Sequence, residues 1–130
     1  MSRSPRTTRP DRTGHLLIRQ KVEGLIEYGH AALRQFPKSE RHVLAAEIRR
    51  SMWSLLRLVV VCNKRYHKKT TLQDLDAELD LLRCQIRLSM RLGYLDLRRY
   101  EHWARLLDEV GRMVGGWIKS AKGSDAKADR

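Results

Sequence analysis

The sequence is short of most things that protein chemistry uses. Only two cysteines occur, Cys62 and Cys84, each inside a helical pattern. A chain with two cysteines is not a disulfide-stapled scaffold, and the expectation is a pair of small, reduced, packed thiols in a cytoplasmic setting. A bridge would require their backbones to approach closely. No apolar run approaches the roughly 20 residues needed to span a bilayer. MSRSPRTTRPDR at the N-terminus has no hydrophobic segment behind its arginines, so no secretory signal is expected.

The motifs of common chemistries are missing as well. There is no GxxxxGK[ST] phosphate loop, and Gly115-Gly116 falls within a helical pattern rather than a strand-to-helix turn. His15, His30, His42, His67 and His102 have no H-x-x-x-H or Cys/His ligand spacing, and Glu27 with His30 is the one Glu-x-x-His pair, whereas di-iron bundles require such a pair on each of two facing helices. The expectation is therefore no metal, no cofactor and no catalytic residue. Acidic residues are also scarce: 15 Asp plus Glu against 27 Lys plus Arg, a net charge of +12. Such an excess in a small protein predicts attraction to a polyanion, with nucleic acid the first candidate.

What is present is helical periodicity. Residues 1–14 carry Arg3, Arg6, Arg9 and Arg12 among polar residues and are expected to form a disordered basic arm. Residues 15–121 are expected to fold as one bundle, and 122–130 to fray. Ile18, Val22, Leu25, Gly29, Ala32 and Phe36 define a first helix over about 16–35, stopped by Pro37. Ser39 is the expected N-cap of a second helix, whose core face is Leu44, Ile48, Met52, Leu55, Val59, Cys62 and Tyr66, ending near His67. Thr70 with Gln73 reads as the capping box of a third helix, with Leu72, Leu75, Leu79, Leu82, Ile86 and Met90 inward and Gly93 at its C-terminal turn. Asp96 is placed to cap a fourth helix running to about Ala121. Four helices of about 30–40 Å joined by short links predict an all-α, antiparallel up-down-up-down four-helix bundle.

The fourth helix has two apolar rows. One is Tyr100, Ala104, Leu107, Gly111, Val114 and Ile118; the other is Trp103, Leu106, Val110, Met113 and Trp117. Together they are wider than one core stripe needs. The expectation is a helix with two partners, its own bundle and a second subunit, with Trp103, Val110, Met113, Gly115 and Trp117 at the interface between copies.

Basic rows supply the candidate binding surface. Arg50, Arg57, Lys64 and Lys68 fall within a narrow arc of the second helix, because a seven-residue step drifts by only about 20°. Lys64, Arg65, Lys68 and Lys69 cluster where helices two and three meet, and Arg83, Arg87 and Arg91 recur at i, i+4, i+8 on the third. A charge run can be only a solvated face, but acids are too few to neutralise all of these. The rows predict contacts to a phosphate backbone with strong salt dependence.

Three stretches resemble a known family. FPKSERHVLAAEIRR from Phe36, LDAELDLLRCQIRLSMRLGYL from Leu75 and YEHWARLLDEVGRMVGGWIK from Tyr100 are similar to the accessory variability determinants (Avd) of diversity-generating retroelements, together with the ribosomal RNA intervening-sequence proteins. The resemblance implies a four-helix bundle assembling into a ring-shaped, basic homopentamer, encoded by a bacterium or phage. It implies partners in the cognate reverse transcriptase and in RNA and DNA, and support for mutagenic cDNA synthesis from a template-repeat RNA, without catalytic residues. The family's L-R-x-x-x-R stretch falls on Arg83 and Arg87, which implies partner binding there. Its GGW ending falls on Gly115, Gly116 and Trp117, which implies packing or assembly. Alternatives are an intervening-sequence protein binding structured RNA and a purely structural bundle.

Overall fold

The structure, a computed structural model, describes residues 10–128, with side chains described over 16–123. Four helices account for nearly all of it: α1 (Pro10–Leu33), α2 (Leu44–Lys64), α3 (Lys69–Arg91) and α4 (Leu97–Ala128), with a short 3-10 turn at Lys38–Glu40. No strand occurs among the described residues. Each helix packs on two neighbours, α1 on α2 and α4, α3 on α2 and α4. Lys21 reaches Glu109 while Tyr28 reaches the Arg99 carbonyl, so α1 and α4 run antiparallel. Ser54 with Glu78 and Arg65 with Thr71 show the same for α2 and α3. The expected all-helical architecture stands.

Every helix contributes one seam of buried residues at alternating steps of three and four. In α2 it is Ile48, Met52, Leu55, Val59 and Cys62; in α3 it is Leu72, Leu75, Leu79, Leu82, Ile86 and Ser89. In α4 it is Trp103, Leu107, Val110, Val114 and Trp117. This 3–4 alternation is the knobs-into-holes pattern of near-parallel helix packing. It also narrows the expectation of two apolar faces on the last helix. The two apolar rows are one seam split in two, with half-buried flanks on either side (Tyr100 and Ile118 on one, Leu106 and Met113 on the other). Trp103 and Val110 are fully buried within the single chain and Trp117 is nearly so. Of the residues expected at that interface, Met113 is half-buried and only Gly115 is exposed.

Trp103, at 0 % exposure, is the largest fully buried side chain, and its indole N–H has no acceptor among the described residues. An unpaired buried donor costs about 1–3 kcal/mol. Truncating a buried tryptophan costs about 3–5 kcal/mol, so packing outweighs the orphaned donor. Space for the ring comes from α1: a Cβ on Gly29 would lie 2.9 Å from Trp103 Cζ2 and 2.8 Å from Met52 Cε. Gly29 is the glycine that close packing requires.

The helix ends depart from the expected caps in informative ways. α1 begins at Pro10, five residues inside the stretch expected to be an arm; proline suits a first helical position, where its missing N–H is not needed. Residues 1–9 lie outside the described residues. Ser39 caps nothing. After Pro37 the chain satisfies its backbone through turn bonds, Glu40 N–H to Pro37 at 2.9 Å and Val43 N–H to Glu40 at 3.1 Å, and α2 starts only at Leu44. Thr70 lies inside the first turn of α3, which begins at Lys69 without a side-chain cap. α2 stops at Lys64, and that early stop turns Tyr66 from an expected core residue into the most exposed large apolar side chain, at 85 %.

Two boundaries match. Gly93 takes φ +84°, its N–H bonds the Met90 carbonyl at 3.0 Å and the Tyr94 N–H bonds Ser89 at 2.9 Å, a complete left-handed helix stop. Asp96 accepts the Arg99 N–H at 2.8 Å and caps α4. At the far end α4 continues to Ala128, beyond the expected fraying point.

Candidate nucleic-acid interface

Residues 48–73 contain seven Lys or Arg and no Asp or Glu, the longest basic stretch without an acid in the bundle. Helical geometry places Arg50, Arg57 and Lys64 along the outward side of α2, and all three are exposed. Arg50 is tied to Glu47 at 2.7 Å. Exposed pairs of this kind are worth about 0–1 kcal/mol, so Arg50 can exchange partners cheaply.

The row leads into the α2–α3 turn, where Arg65 and Lys69 are exposed. Arg65 donates to the Thr71 hydroxyl at 3.4 Å. Lys68 does something different from what its place in the row suggested. Its ammonium donates to the Cys62 carbonyl at 2.8 Å and to the Arg65 carbonyl, closing the C-terminal end of α2. Positive charge at that end also suits the helix dipole. Lys68 is thus a clamp on the turn. Beside it, burial pushes the Cys62 thiol above its ordinary pKa, an effect partly opposed by Lys68 and Arg65.

Antiparallel packing brings the last turns of α4 to the same pole. Lys69, Leu72 and Gln73 of α3 line one groove with Ile118, Ala121 and Lys122 of α4. Lys122, expected in a fraying tail, instead lies on the continued helix at the basic pole.

Arg83, Arg87 and Arg91 do not act as one row. Arg83 leans onto α4, where its guanidinium sits 3.4 Å from Asp80 and 3.6 Å from Asp108, over the bare backbone of Gly111. Its charge is compensated and its position is that of a strut. Arg87 and Arg91 are exposed, Arg87 touching the Cys84 sulfur at 3.6 Å. Of the three, Arg83 is the one held against α4.

A further row went unread in the sequence. Arg98, Arg105, Arg112 and Lys119 of α4 recur at seven-residue steps and are all exposed. Their seven-residue spacing is the same signal that marks Arg50, Arg57 and Lys64 on α2. Between α1 and α4 a shallow groove is bordered by Tyr28, Asp96, Arg98, Arg99, His102 and Arg105.

These features define a four-helix bundle whose surface is dominated by positive charge that its own acids do not neutralise. More particularly, the chain belongs to the bAvd-like family, whose sequence pattern it matches over residues 16–121, from early α1 to late α4. It is an Avd-like protein. No curated protein matches the chain. None of its described helices is long and apolar enough to cross a membrane.

Proposed function

We propose that this protein is a non-enzymatic accessory subunit of a diversity-generating retroelement, binding the cognate reverse transcriptase and the template RNA and cDNA and so supporting mutagenic cDNA synthesis. The family match across the whole bundle is the observation that carries this reading. The acid-free basic stretch over residues 48–73 supports the nucleic-acid part of it. Arg57, Lys64, Arg65, Lys69 and Lys122 contact phosphates in this reading, while Arg87 and Arg91 are available to the polymerase and Arg83 braces the helix that presents them. The protein works in the cytoplasm.

The ring of subunits implied by the family resemblance is part of the proposal, with its interface moved off the buried Trp103, Val110 and Trp117. Exposed apolar residues include Leu81 and Leu88 on α3, Leu92 and Leu97 at the α3–α4 turn, and Trp53 and Val60 on α2. These are the surfaces on which copies meet.

The test is salt-titrated binding of a labelled RNA to the full chain. The log–log slope for single strands is about −0.7 per phosphate contacted, so five contacts give roughly −3 to −4. A flat response, or no binding at low salt, overturns the nucleic-acid role. Capture of the reverse transcriptase is expected to fall with Arg87→Ala at unchanged helicity; undiminished capture removes Arg87 from that contact.

A further inference from the structure

We propose that the turn between α2 and α3 is a single-strand site, in which the Tyr66 ring stacks on an unpaired base while Lys64, Arg65 and Lys69 hold the flanking phosphates. The inference rests on the proposed nucleic-acid role and adds which form of nucleic acid this pole takes and which residue selects it.

A tyrosine at 85 % exposure is set apart from every other large apolar side chain described, the next being at 58 %. Its one aromatic neighbour among the described residues is His67, with ring centroids 4.7 Å apart at 79°. An edge contact with so small a ring leaves a face of Tyr66 open. Its neighbours along the chain are all basic or polar: Asn63, Lys64, Arg65, His67, Lys68, Lys69 and Thr70. No acid lies nearer in sequence than Glu47 and Asp74. An exposed aromatic ring within a basic segment is the combination by which proteins hold single strands, since every base has a π-face and every linkage a phosphate.

The turn is also held in shape before any ligand arrives. Lys68 is occupied with the carbonyls on either side of the α2 terminus, and Arg65 bonds Thr71 across the turn. These bonds fix the backbone that carries Tyr66, so less ordering remains for binding to accomplish.

A duplex gives this ring nothing to stack on, because its bases already stack on one another; unpaired bases are what aromatic side chains capture. An anionic membrane would also attract the charge. Interfacial binding, however, uses a broad apolar face of Trp, Phe or Leu, and this turn presents one phenol.

The experiment compares full-length protein and its Tyr66→Ala, Tyr66→Phe and Tyr66→Trp variants on a fluorescein-labelled oligouridine and on a blunt RNA duplex of equal length. Binding is read by anisotropy at one low salt concentration. Tyr66→Ala is expected to weaken single-strand binding on the order of 10-fold, and up to about 100-fold, with duplex binding unchanged. Tyr66→Phe and Tyr66→Trp keep the affinity, since both retain a ring. Wild-type protein that binds both probes while Tyr66→Ala leaves them unaffected, or weakens them equally, overturns the stacking site and leaves the proposed function standing. Wild-type protein that binds neither probe overturns both. Vesicles of phosphatidylserine and phosphatidylcholine serve as a third probe. If Tyr66→Ala releases the protein from them and spares single-strand binding, the turn belongs to a membrane and the inference fails.

Discussion

The guanidinium of Arg83 lies where a side chain on Gly111 would be, and it reaches Asp108 one turn away on the same helix. A glycine in the middle of α4 therefore makes room for an arginine from α3, a contact between helices that neither sequence pattern alone discloses. Gly29 makes room in the same sense for Met52 and Trp103, but inside the core.

These two glycines are expected to respond differently to alanine. At Gly111 the obstructing group is the far end of a half-exposed, flexible side chain, which can swing away. The loss of a partly exposed ion pair, about 0–1 kcal/mol, is offset by a helix-propensity gain of about 1 kcal/mol. Gly111→Ala should therefore leave the urea midpoint nearly unchanged. At Gly29 the neighbours are fully buried, and overpacking costs about 1–3 kcal/mol. Gly29→Ala should lower the midpoint clearly; equal behaviour of the two variants would contradict the packing described for Trp103.

Fold and assembly should separate by mutation. Trp103→Ala is expected to cost about 3–5 kcal/mol and to abolish cooperative unfolding, because the ring fills the core of one chain. Leu81→Arg with Leu88→Arg should leave helicity intact and lower the mass seen in native mass spectrometry, because those residues are exposed on the protomer. A folded Trp103→Ala monomer would return α4 to the interface.

The cysteines should differ in reactivity and in pH dependence. Cys84 is exposed and Cys62 buried, so iodoacetamide should label Cys84 in the native protein and Cys62 only on unfolding. Burial raises the Cys62 thiol pKa in the fold. Above the ordinary thiol value of about 8.5, the unfolded chain gives up this proton while the folded chain keeps it, so this group's contribution to stability falls as pH rises. The urea midpoint should drop between about pH 7.5 and pH 9.5, and Cys62→Ala should show a smaller drop. An equal drop in both would assign the effect to other groups.

The bundle was legible because its seams repeat: Ile48, Met52 and Leu55 can be assigned inward from spacing alone. Gly93 and Asp96 were legible because a left-handed stop and an N-cap depend on one residue's own chemistry. Ser39 and Thr70 misled because good capping residues are common, and only the path of the chain decides which are used; here the turn after Pro37 and the Lys68 clamp decided it. In α4, spacing could not tell a wide stripe from a seam with two half-buried flanks, because that depends on how near α1 and α3 stand. The basic residues were found individually, but their grouping was not. Whether Arg83 braces or binds depends on Asp108, 25 positions further along the chain and on another helix.

The ring of helix contacts closes between the first helix and the last, through pairs such as Lys21 with Glu109. Every other adjacency joins helices that follow one another in the chain. A growing polypeptide can therefore zip α1 onto α2 and α2 onto α3 as each appears, but the remaining flank of α1 stays wet until Trp103 and the turns beyond it have been synthesised. Completion of the fold waits on the final quarter of the chain, and any fragment ending before it must carry an open seam.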